Sequence, residues 1–191
     1  MDVDAVVQVI ERTASRGRTR LVAIDGCGGA GKSSLAEAIA ERIDDAAIVH
    51  VDDFWHARER RPDRATVVGE PGSDYDWERL RDQVVVPLAE GLDARYQRYD
   101  WETDSLAEWH DVAGGGTVVV EGVFSTRVEL IDYYDVRVWV DTPADVCLAR
   151  GIERDGEQHR HLWENEWMKA YERYVEASDP VERADVVVRG L

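Results

Sequence analysis

A glycine-rich segment that ends in a lysine and a serine is the part of this sequence whose residue types and spacing most directly indicate chemistry. It reads GCGGAGKS over residues 26–33 and satisfies the pattern GxxxxGK[ST]. Glycines let backbone N–H groups turn inward around phosphate oxygens, and a helix that follows adds partial positive charge at its N-terminus. We therefore predict a phosphate-binding loop over residues 26–33; the alternative is an ordinary glycine-rich turn between a strand and a helix.

Two side chains of this loop carry its expected chemistry. Lys32 would reach the β- and γ-phosphates of a nucleotide, and the Ser33 hydroxyl would be a ligand of Mg²⁺. The position of Lys32 is informative because 21 of the 23 basic residues are arginines and only two are lysines. The residues that we expect to bind the nucleotide are Gly26, Gly28, Gly29, Ala30, Gly31, Lys32, Ser33 and Ser34.

Two acidic segments each follow a run of β-branched residues, which places them at the carboxyl ends of predicted strands. Asp52 and Asp53 stand at the end of the second run, and Glu121 stands at the end of the third. Because ligands of open α/β sheets bind beyond these strand ends, we expect the acids near the phosphate-binding loop. Ser33, Asp52 and Glu121 are the predicted Mg²⁺ site. The alternatives are a turn residue for Asp52 and a helix cap or solvated strand end for Glu121.

Five short apolar runs predict the buried parallel strands that would hold these side chains. They cover residues 19–25, 46–52, 116–122, 135–141 and 184–190. Apolar residues at three-to-four spacing predict crossover helices over 33–43 and 76–92. Residues 142–145 mark another helix start, with Thr142 as its cap and Pro143 in its first position. The chain is therefore predicted to be α/β.

Three other segments have patterns that indicate a helix, a loop and a strand. An aromatic stripe at helical spacing over 162–175 indicates a packed helix, in preference to a base-stacking surface. Residues 56–73 lack periodicity and predict a long loop, and residues 94–101 predict an additional strand or hairpin arm. No repeat or linker divides the chain, so we expect a single domain over residues 1–191.

Composition narrows the class of ligand. Forty acidic residues against 23 basic ones give a formal charge of −17, which disfavours nucleic acid and anionic membrane as partners. We expect a small-molecule substrate and a cytoplasmic location, and a homo-oligomer is left open. Cys27 and Cys147 lack the spacing of a zinc site and predict reduced, inert thiols.

Four segments together resemble the uridine kinase group of P-loop small-molecule kinases, which includes nicotinamide riboside kinases, pantothenate kinases and phosphoribulokinases. The segments are GCGGAGKSS, HVDDFW, VVVEGVFS and LARGIERDG, in this order along the chain. The resemblance extends over most of residues 20–188. It implies a three-layer P-loop NTPase fold with a mainly parallel five-stranded sheet, helices on both faces and a small lid at about residues 151–162. It also implies ATP and Mg²⁺ as cofactors.

The resemblance assigns roles to further residues. Asp52 would accept or orient the proton of the acceptor hydroxyl, with Asp53 as a secondary candidate for the acceptor side. Arg150 and Arg154 would reach the transferred phosphate from the lid, because they are one helical turn apart. Surface pairing with Glu153 or Asp155 is the alternative for each arginine. After Gly156 this lid adds only Arg160, fewer arginines than uridine kinases usually have.

The resemblance also implies residues on the acceptor side. It suggests that Tyr75 stacks on a ring and that Asp76 binds hydroxyls; the alternative for Asp76 is to cap the following helix. The segment 98–101 is interpreted as edge-strand packing in preference to a pocket wall. A neutral acceptor such as the nucleoside uridine fits the acidic residues. The alternatives are another small hydroxyl compound (a vitamin precursor, a sugar or an antibiotic), an anionic acceptor paired with the arginines of residues 58–64, and a nucleotide-binding switch without acceptor.

Overall fold

The strands form two separate sheets in this computed structural model, which describes residues 1–61 and 71–190. Within those ranges the strands are β1 Arg20–Gly26, β2 Ala46–His50, β3 Ala94–Asp100, β4 Ser105–Val112, β5 Thr117–Glu121, β6 Val136–Asp141 and β7 Val186–Arg189. Five of them form a parallel sheet in the order β2-β5-β1-β6-β7. Each of the five predicted strands is present, and the predicted α/β class is confirmed.

Five helices precede or connect these strands within the described ranges. They are α1 Val3–Arg12, α2 Lys32–Ala40, α3 from Trp77 to Ala89, α4 Ala144–Asp155 and α5 from Arg160 to Ser178. Helices α3 and α5 each contain a π-helical turn, at Arg81–Val85 and at Trp163–Trp167. The predicted crossover helices are confirmed, and α1 was not predicted.

Successive residues of the central strands point to opposite faces of the sheet, and each face is covered by other elements. Val22 and Ile24 of β1 pack in a core cluster with helices α1, α2, α4 and α5. Leu21 and Ala23 of the same strand pack in a second cluster with α3 and the hairpin of β3 and β4. The three-layer arrangement expected from the resemblance is therefore present.

The hairpin of β3 and β4 is a second, antiparallel sheet beside the first. Its pairing shifts register between Gln97 and Tyr99. The interpretation of residues 94–101 as a hairpin arm is confirmed, whereas β4 was not predicted. The missing signal has a physical cause: β4 has exposed and half-buried residues along most of its length, so its sequence lacks a clean apolar alternation.

The start of α4 differs from its prediction. The helix begins at Ala144, and Pro143 occupies the N-cap position without a side-chain hydrogen bond. The predicted cap, Thr142, is wrong because its hydroxyl donates to the carbonyl of Ala30 in the phosphate-binding loop, 3.1 Å away. The side chain is therefore used to join α4 to this loop.

The predicted lid, residues 151–162, contains the end of α4, Gly156 with a positive φ, a short 3₁₀ turn at Glu157–His159 and the start of α5. The predicted long loop is described only in part, since residues 62–70, which include Arg64, lie outside the described ranges. No helix among the described residues is both long and apolar enough to cross a bilayer.

Candidate active site

The phosphate-binding loop connects the end of β1 to the start of α2. Gly31 is the N-cap of α2 and has a left-handed φ of 99°, a conformation that favours glycine. Backbone N–H groups in the first turn of a helix have no partner within that helix, so they are available to phosphate oxygens. The loop therefore has the backbone arrangement that an anion site at a helix N-terminus requires.

Lys32 lies in the floor of this loop and is mostly buried. Its ammonium donates to the carbonyl of Cys27 across the loop, at 2.9 Å. Cys27 and Cys147 are both free and buried, as expected for inert thiols. A hydrogen bond to Cys147 and burial raise the pKa of Cys27, which keeps this thiol protonated.

Helix α4 packs directly against the loop at Gly29. This glycine has a φ of 81°, and a Cβ added there would lie 2.6 Å from the carbonyl oxygen of Cys147. The guanidinium of Arg150, one turn further along α4, lies 3.4 Å from the carbonyl oxygen of Gly29. The predicted phosphate ligand Arg150 is therefore at the loop in this structure.

Ser33 and Glu121 meet at the carboxyl ends of β1 and β5. The Ser33 hydroxyl donates to a Glu121 carboxylate oxygen at 3.1 Å, and Nδ1 of His50 lies 2.6 Å from the same oxygen. The hydrogen bond with Glu121 raises the pKa of His50, and Asp53 and Asp52 contribute in the same direction. Sequence reasoning assigned no role to His50, because the pairing of β2 with β5 creates this contact.

The residues around Ser33 fit a magnesium ion in the way that Mg²⁺ is usually bound, with few protein ligands. A hydroxyl and a carboxylate converge there, and Mg²⁺ prefers such oxygen ligands together with water and substrate phosphates. The described residues contain no group of three His, Cys, Asp or Glu side chains that would hold a metal by themselves. Binding of Mg²⁺ would thus depend on phosphate and water oxygens.

Asp52 lies on a 3₁₀ turn, Val51–Phe54, directly after β2. Solvent reaches this side chain, yet the protein atoms around its carboxylate reduce hydration. This desolvation, followed by repulsion from Glu121, raises the pKa of Asp52, while Lys32, the Tyr75 hydroxyl and Arg154 act in the opposite direction. Asp52 is therefore close enough to Lys32 of the phosphate-binding loop for the two charges to interact.

Tyr75 makes contacts within the protein that the sequence did not predict, and its stacking on an acceptor ring stays a prediction. Its hydroxyl donates to Asp52 at 3.1 Å, and its ring lies between Trp55, at a centroid distance of 4.9 Å, and Phe124, at 5.9 Å. Both ring contacts are edge-on. Tyr75 thus holds the Asp52 carboxylate and contributes to an aromatic wall beside it.

This wall continues outward to the hairpin. The ring of Trp101 lies 5.0 Å from that of Trp55 and 5.0 Å from that of Tyr99, and Trp101 remains more than half exposed. The interpretation of residues 98–101 as edge-strand packing is supported by the ion pair of Arg98 with Glu108 on the neighbouring strand.

The segment after β5 crosses closely over the Asp52 turn. Gly122 has a φ of 151°, and a Cβ added there would lie 2.4 Å from Cβ of Val51. Two residues later, Phe124 has a left-handed φ of 68°, which is unusual for a large side chain. Its ring contacts both Tyr75 and Tyr174, so this strained residue packs between the aromatic wall and helix α5.

A buried carboxylate holds that strained segment in place. Asp25, the residue before the phosphate-binding loop, accepts hydrogen bonds from the backbone N–H groups of Gly26, Phe124 and Thr126. It also accepts from the hydroxyls of Thr126 and Tyr174, at 2.7 and 2.8 Å. Sequence reasoning placed Asp25 at a strand end and assigned it no function, since all its partners except Gly26 are about 100 residues or more distant.

The two remaining acidic candidates are already held by the protein. Asp53 accepts a hydrogen bond from the Tyr96 hydroxyl at 2.9 Å. Asp76 accepts from the backbone N–H of Arg79 at 3.0 Å and caps α3. The capping alternative stated for Asp76 is therefore present, and its second oxygen lies 3.6 Å from Nε of Arg79.

Arg154 forms the surface pair that was the alternative interpretation. It makes two hydrogen bonds with Asp155, at 2.7 and 3.1 Å, and lies over the ring of Trp163. The hydrogen bond with Asp155 raises the pKa of Arg154, and the charges of Asp155, Asp52 and Tyr75 act in the same direction. Of the arginines in residues 58–61, Arg58 and Arg61 pair with Asp104 at the turn of the hairpin.

The sequence profile of the Phosphoribulokinase / Uridine kinase family matches residues 21–191 of the chain. The chain belongs to this family. The uridine kinase of Ureaplasma parvum is 25% identical over 172 residues, which is 83% of this chain and 83% of that protein. The uridine kinase of Halobacterium salinarum is 30% identical over 139 residues, 70% of this chain and 61% of that protein.

Solved structures agree with this membership. The structure of a possible uridine kinase from Bacillus stearothermophilus has a TM-score of 0.75 at 26% identity and covers 97% of this chain and 96% of its own. Phosphoribulokinase from Rhodobacter spheroides, at 14% identity, shares the fold with a TM-score of 0.62 over 90% of this chain and 70% of that one. The family member described here is an ATP-dependent small-molecule kinase, as the motifs predicted.

Proposed function

We propose that this family member transfers the γ-phosphoryl group of ATP to a hydroxyl of a small metabolite, with a nucleoside such as uridine as the acceptor. One observation carries the proposal: Asp52 presents a solvent-accessible carboxylate, held by the Tyr75 hydroxyl at 3.1 Å, on the turn that follows β2, and the neighbouring strand β5 ends in Glu121, which contacts Ser33 of the phosphate-binding loop. Phosphoryl transfer requires this polarity, with cations at the donor phosphates and a carboxylate at the attacking hydroxyl.

On the donor side, the glycine-rich backbone of residues 26–31 and the start of α2 would hold the phosphates. Lys32 would exchange its contact with the Cys27 carbonyl for phosphate oxygens. Ser33 and Glu121, with Asp52 nearby, would hold Mg²⁺, which neutralises charge on the β- and γ-phosphates when bound. Arg150 and Arg154 would contribute further positive charge from the predicted lid, and Ser34 would contribute its backbone at the helix start.

On the acceptor side, Asp52 would orient the hydroxyl and receive its proton. A carboxylate with a raised pKa is a stronger base than a free one, and here desolvation and Glu121 raise the pKa of Asp52. The hydrogen bond from Tyr75 limits the rotation of this carboxylate. Asp52 is thus both oriented and basic before the acceptor arrives.

The surroundings of Asp52 favour an uncharged acceptor. Asp53, Asp76 and Glu121 lie on the segments next to it, and a second phosphate on the acceptor would be repelled there. Tyr75 and Trp55 offer apolar ring surface beside the carboxylate. We propose that Asp53, Tyr75 and Asp76 line the site of a neutral polyhydroxy compound with a planar ring, which describes a nucleoside. An ATP-dependent reaction of this kind would take place in the cytoplasm.

The test is the substitution Asp52→Asn, which keeps the size of the side chain and removes its basicity. ADP release would be measured with Mg²⁺ and ATP across nucleosides, pantothenate, sugars and aminoglycosides, and the phosphorylated product would be identified by mass spectrometry. We expect Asp52→Asn to lower acceptor-dependent turnover by about 10²–10⁴-fold, the usual contribution of a positioned base. Binding of ATP should remain at the wild-type level.

Asp44→Asn is a matched control, because this aspartate is exposed and lies before β2, at the end of the sheet remote from Asp52. It should leave turnover unchanged. Full acceptor-dependent turnover in Asp52→Asn would contradict the proposed role. The absence of ADP release with every acceptor would leave a nucleotide-binding switch as the better description.

A further inference from the structure

Arg79, in the first segment of α3, is a buried charged residue that the proposed chemistry does not use. Its side chain is 6% exposed, although arginine is almost never fully buried without partners. Burial of an unpaired guanidinium would strongly oppose folding. The partners of Arg79 therefore indicate what this side chain stabilises.

The guanidinium connects three segments of the chain. Nη1 donates to the backbone carbonyl of Gln97 in β3 at 2.6 Å, and Nη2 donates to the carbonyl of Asp53 at 3.0 Å. Nε lies 3.6 Å from the carboxylate of Asp76 at the start of α3. The guanidinium carbon also lies 4.7 Å from the centre of the Phe54 ring.

Two of these three segments, the Asp52 turn and the start of α3, carry the proposed acceptor residues. Asp53, whose carbonyl Arg79 contacts, directly follows Asp52. Both lie in a 3₁₀ turn of only four residues, which has few hydrogen bonds of its own. Asp76 follows Tyr75, whose hydroxyl holds Asp52. The position of the Asp52 carboxylate is thus set from two sides by segments that Arg79 contacts.

We propose that Arg79 is a positioning residue that fixes the Asp52 turn, the start of α3 and β3 relative to one another and so shapes the acceptor site. The inference rests on the proposed kinase function. Arg79 acts through the backbone and not on substrate, because its donors are directed to groups of the protein and its side chain is closed to solvent.

The chemistry of arginine suits this position. A guanidinium offers five N–H donors in a rigid plane, so one side chain can bond two carbonyls and a carboxylate in different directions. It also places one positive charge beside the acidic groups Asp53 and Asp76, which reduces their mutual repulsion. A lysine ammonium in the same place would keep the charge but lose the planar arrangement.

The test compares Arg79→Lys with Arg81→Lys. Arg81 is two residues further along α3, lies at the surface and pairs with the exposed Asp82, so it is a matched control. A displacement of about 1 Å in a reacting group can cost on the order of 10²-fold in rate. We expect Arg79→Lys to lower kcat/KM for the acceptor by about that factor, with an unchanged KM for ATP and unchanged basal hydrolysis. Arg81→Lys should match the wild type.

Two further measurements separate positioning from a general loss of structure. In Arg79→Ala, added guanidinium chloride should restore part of the acceptor-dependent rate, whereas sodium chloride at the same concentration should not. Hydrogen exchange in Arg79→Lys should accelerate in residues 51–55 and 94–100 and stay at the wild-type rate in residues 26–33.

The outcomes distinguish this inference from the proposed function. If the wild type phosphorylates an acceptor and Arg79→Lys does so with the same kcat/KM, the positioning role is wrong and the kinase proposal stands. An equal rise in KM for ATP and for the acceptor would also overturn the positioning role. If the wild type phosphorylates no acceptor, the proposed function is wrong. The claim that Arg79 fixes the Asp52 turn is then tested by hydrogen exchange alone, and an unchanged exchange rate in residues 51–55 of Arg79→Lys would overturn it.

Discussion

The hydroxyl of Tyr174 belongs to the buried hydrogen-bond network around Asp25, and it can be removed by a substitution that leaves the other members of that network unchanged. It donates to Asp25 at 2.8 Å and lies 3.1 Å from the Thr126 hydroxyl, while its ring packs against Phe124. Tyr174→Phe removes this hydroxyl and keeps the ring. The substitution therefore changes the hydrogen bonding of Asp25 without changing the apolar packing.

The magnitude follows from what remains around Asp25. The carboxylate loses one of five hydrogen bonds and keeps the three backbone donors and the Thr126 hydroxyl. A hydrogen bond to a charged group contributes about 1.5–3 kcal/mol to stability, and we expect the middle of that range, about 2 kcal/mol. For a chain of 191 residues this corresponds to a decrease in Tm of roughly 4–8 °C.

Urea unfolding followed by circular dichroism would measure this change, with an m value equal to that of the wild type. Tyr171→Phe is the control: Tyr171 is half-buried on the same helix, and its hydroxyl has no hydrogen-bond partner among the described residues. The reasoning is refuted if both variants have the same free energy of unfolding. Because Phe124 and Tyr75 should keep their positions, kcat of Tyr174→Phe should equal that of the wild type at temperatures well below its Tm. A lower kcat at such a temperature would also refute the reasoning.

Two other substitutions test the site directly. Gly122→Ala places a Cβ 2.4 Å from that of Val51 at a positive φ, so a loss of about 3 kcal/mol of stability is expected from strain and overlap. Gly91→Ala, where the nearest atom would be 3.4 Å away, should cost only about 1 kcal/mol, and equal losses in the two urea titrations would contradict the argument. Lys32→Ala should lower kcat by about 10³-fold or more because positive charge at the transferred phosphate is lost. Wild-type kcat in a folded Lys32→Ala protein would mean that the loop does not hold the nucleotide.

Local patterns were sufficient for the parts of this protein that depend on neighbouring residues. Buried strands need continuous apolar runs, and amphipathic helices need their 3.6-residue period, so the central sheet and its crossover helices were predictable. The glycines and Lys32 of the phosphate-binding loop act within eight consecutive residues, so the loop was predictable from their spacing; the family was predicted only from this loop together with the segments HVDDFW, VVVEGVFS and LARGIERDG. Strand β4 was not predicted, because it is largely exposed and has no such pattern. Helix α1 was not predicted although its buried residues Val6 and Ile10 have helical spacing and Asp2 caps it.

Contacts between distant segments were decided by the tertiary structure alone. The hydroxyl of Tyr75 lies on Asp52, where the sequence suggested only a stacking ring, and His50 lies on Glu121 because β2 pairs with β5. Arg79 and Asp25 gave no signal in the sequence, because a buried charge becomes evident only when its surroundings are known. A motif records what a backbone segment can do by itself; hydrogen bonds and electrostatic interactions depend on distances of a few ångströms, which only the folded chain sets.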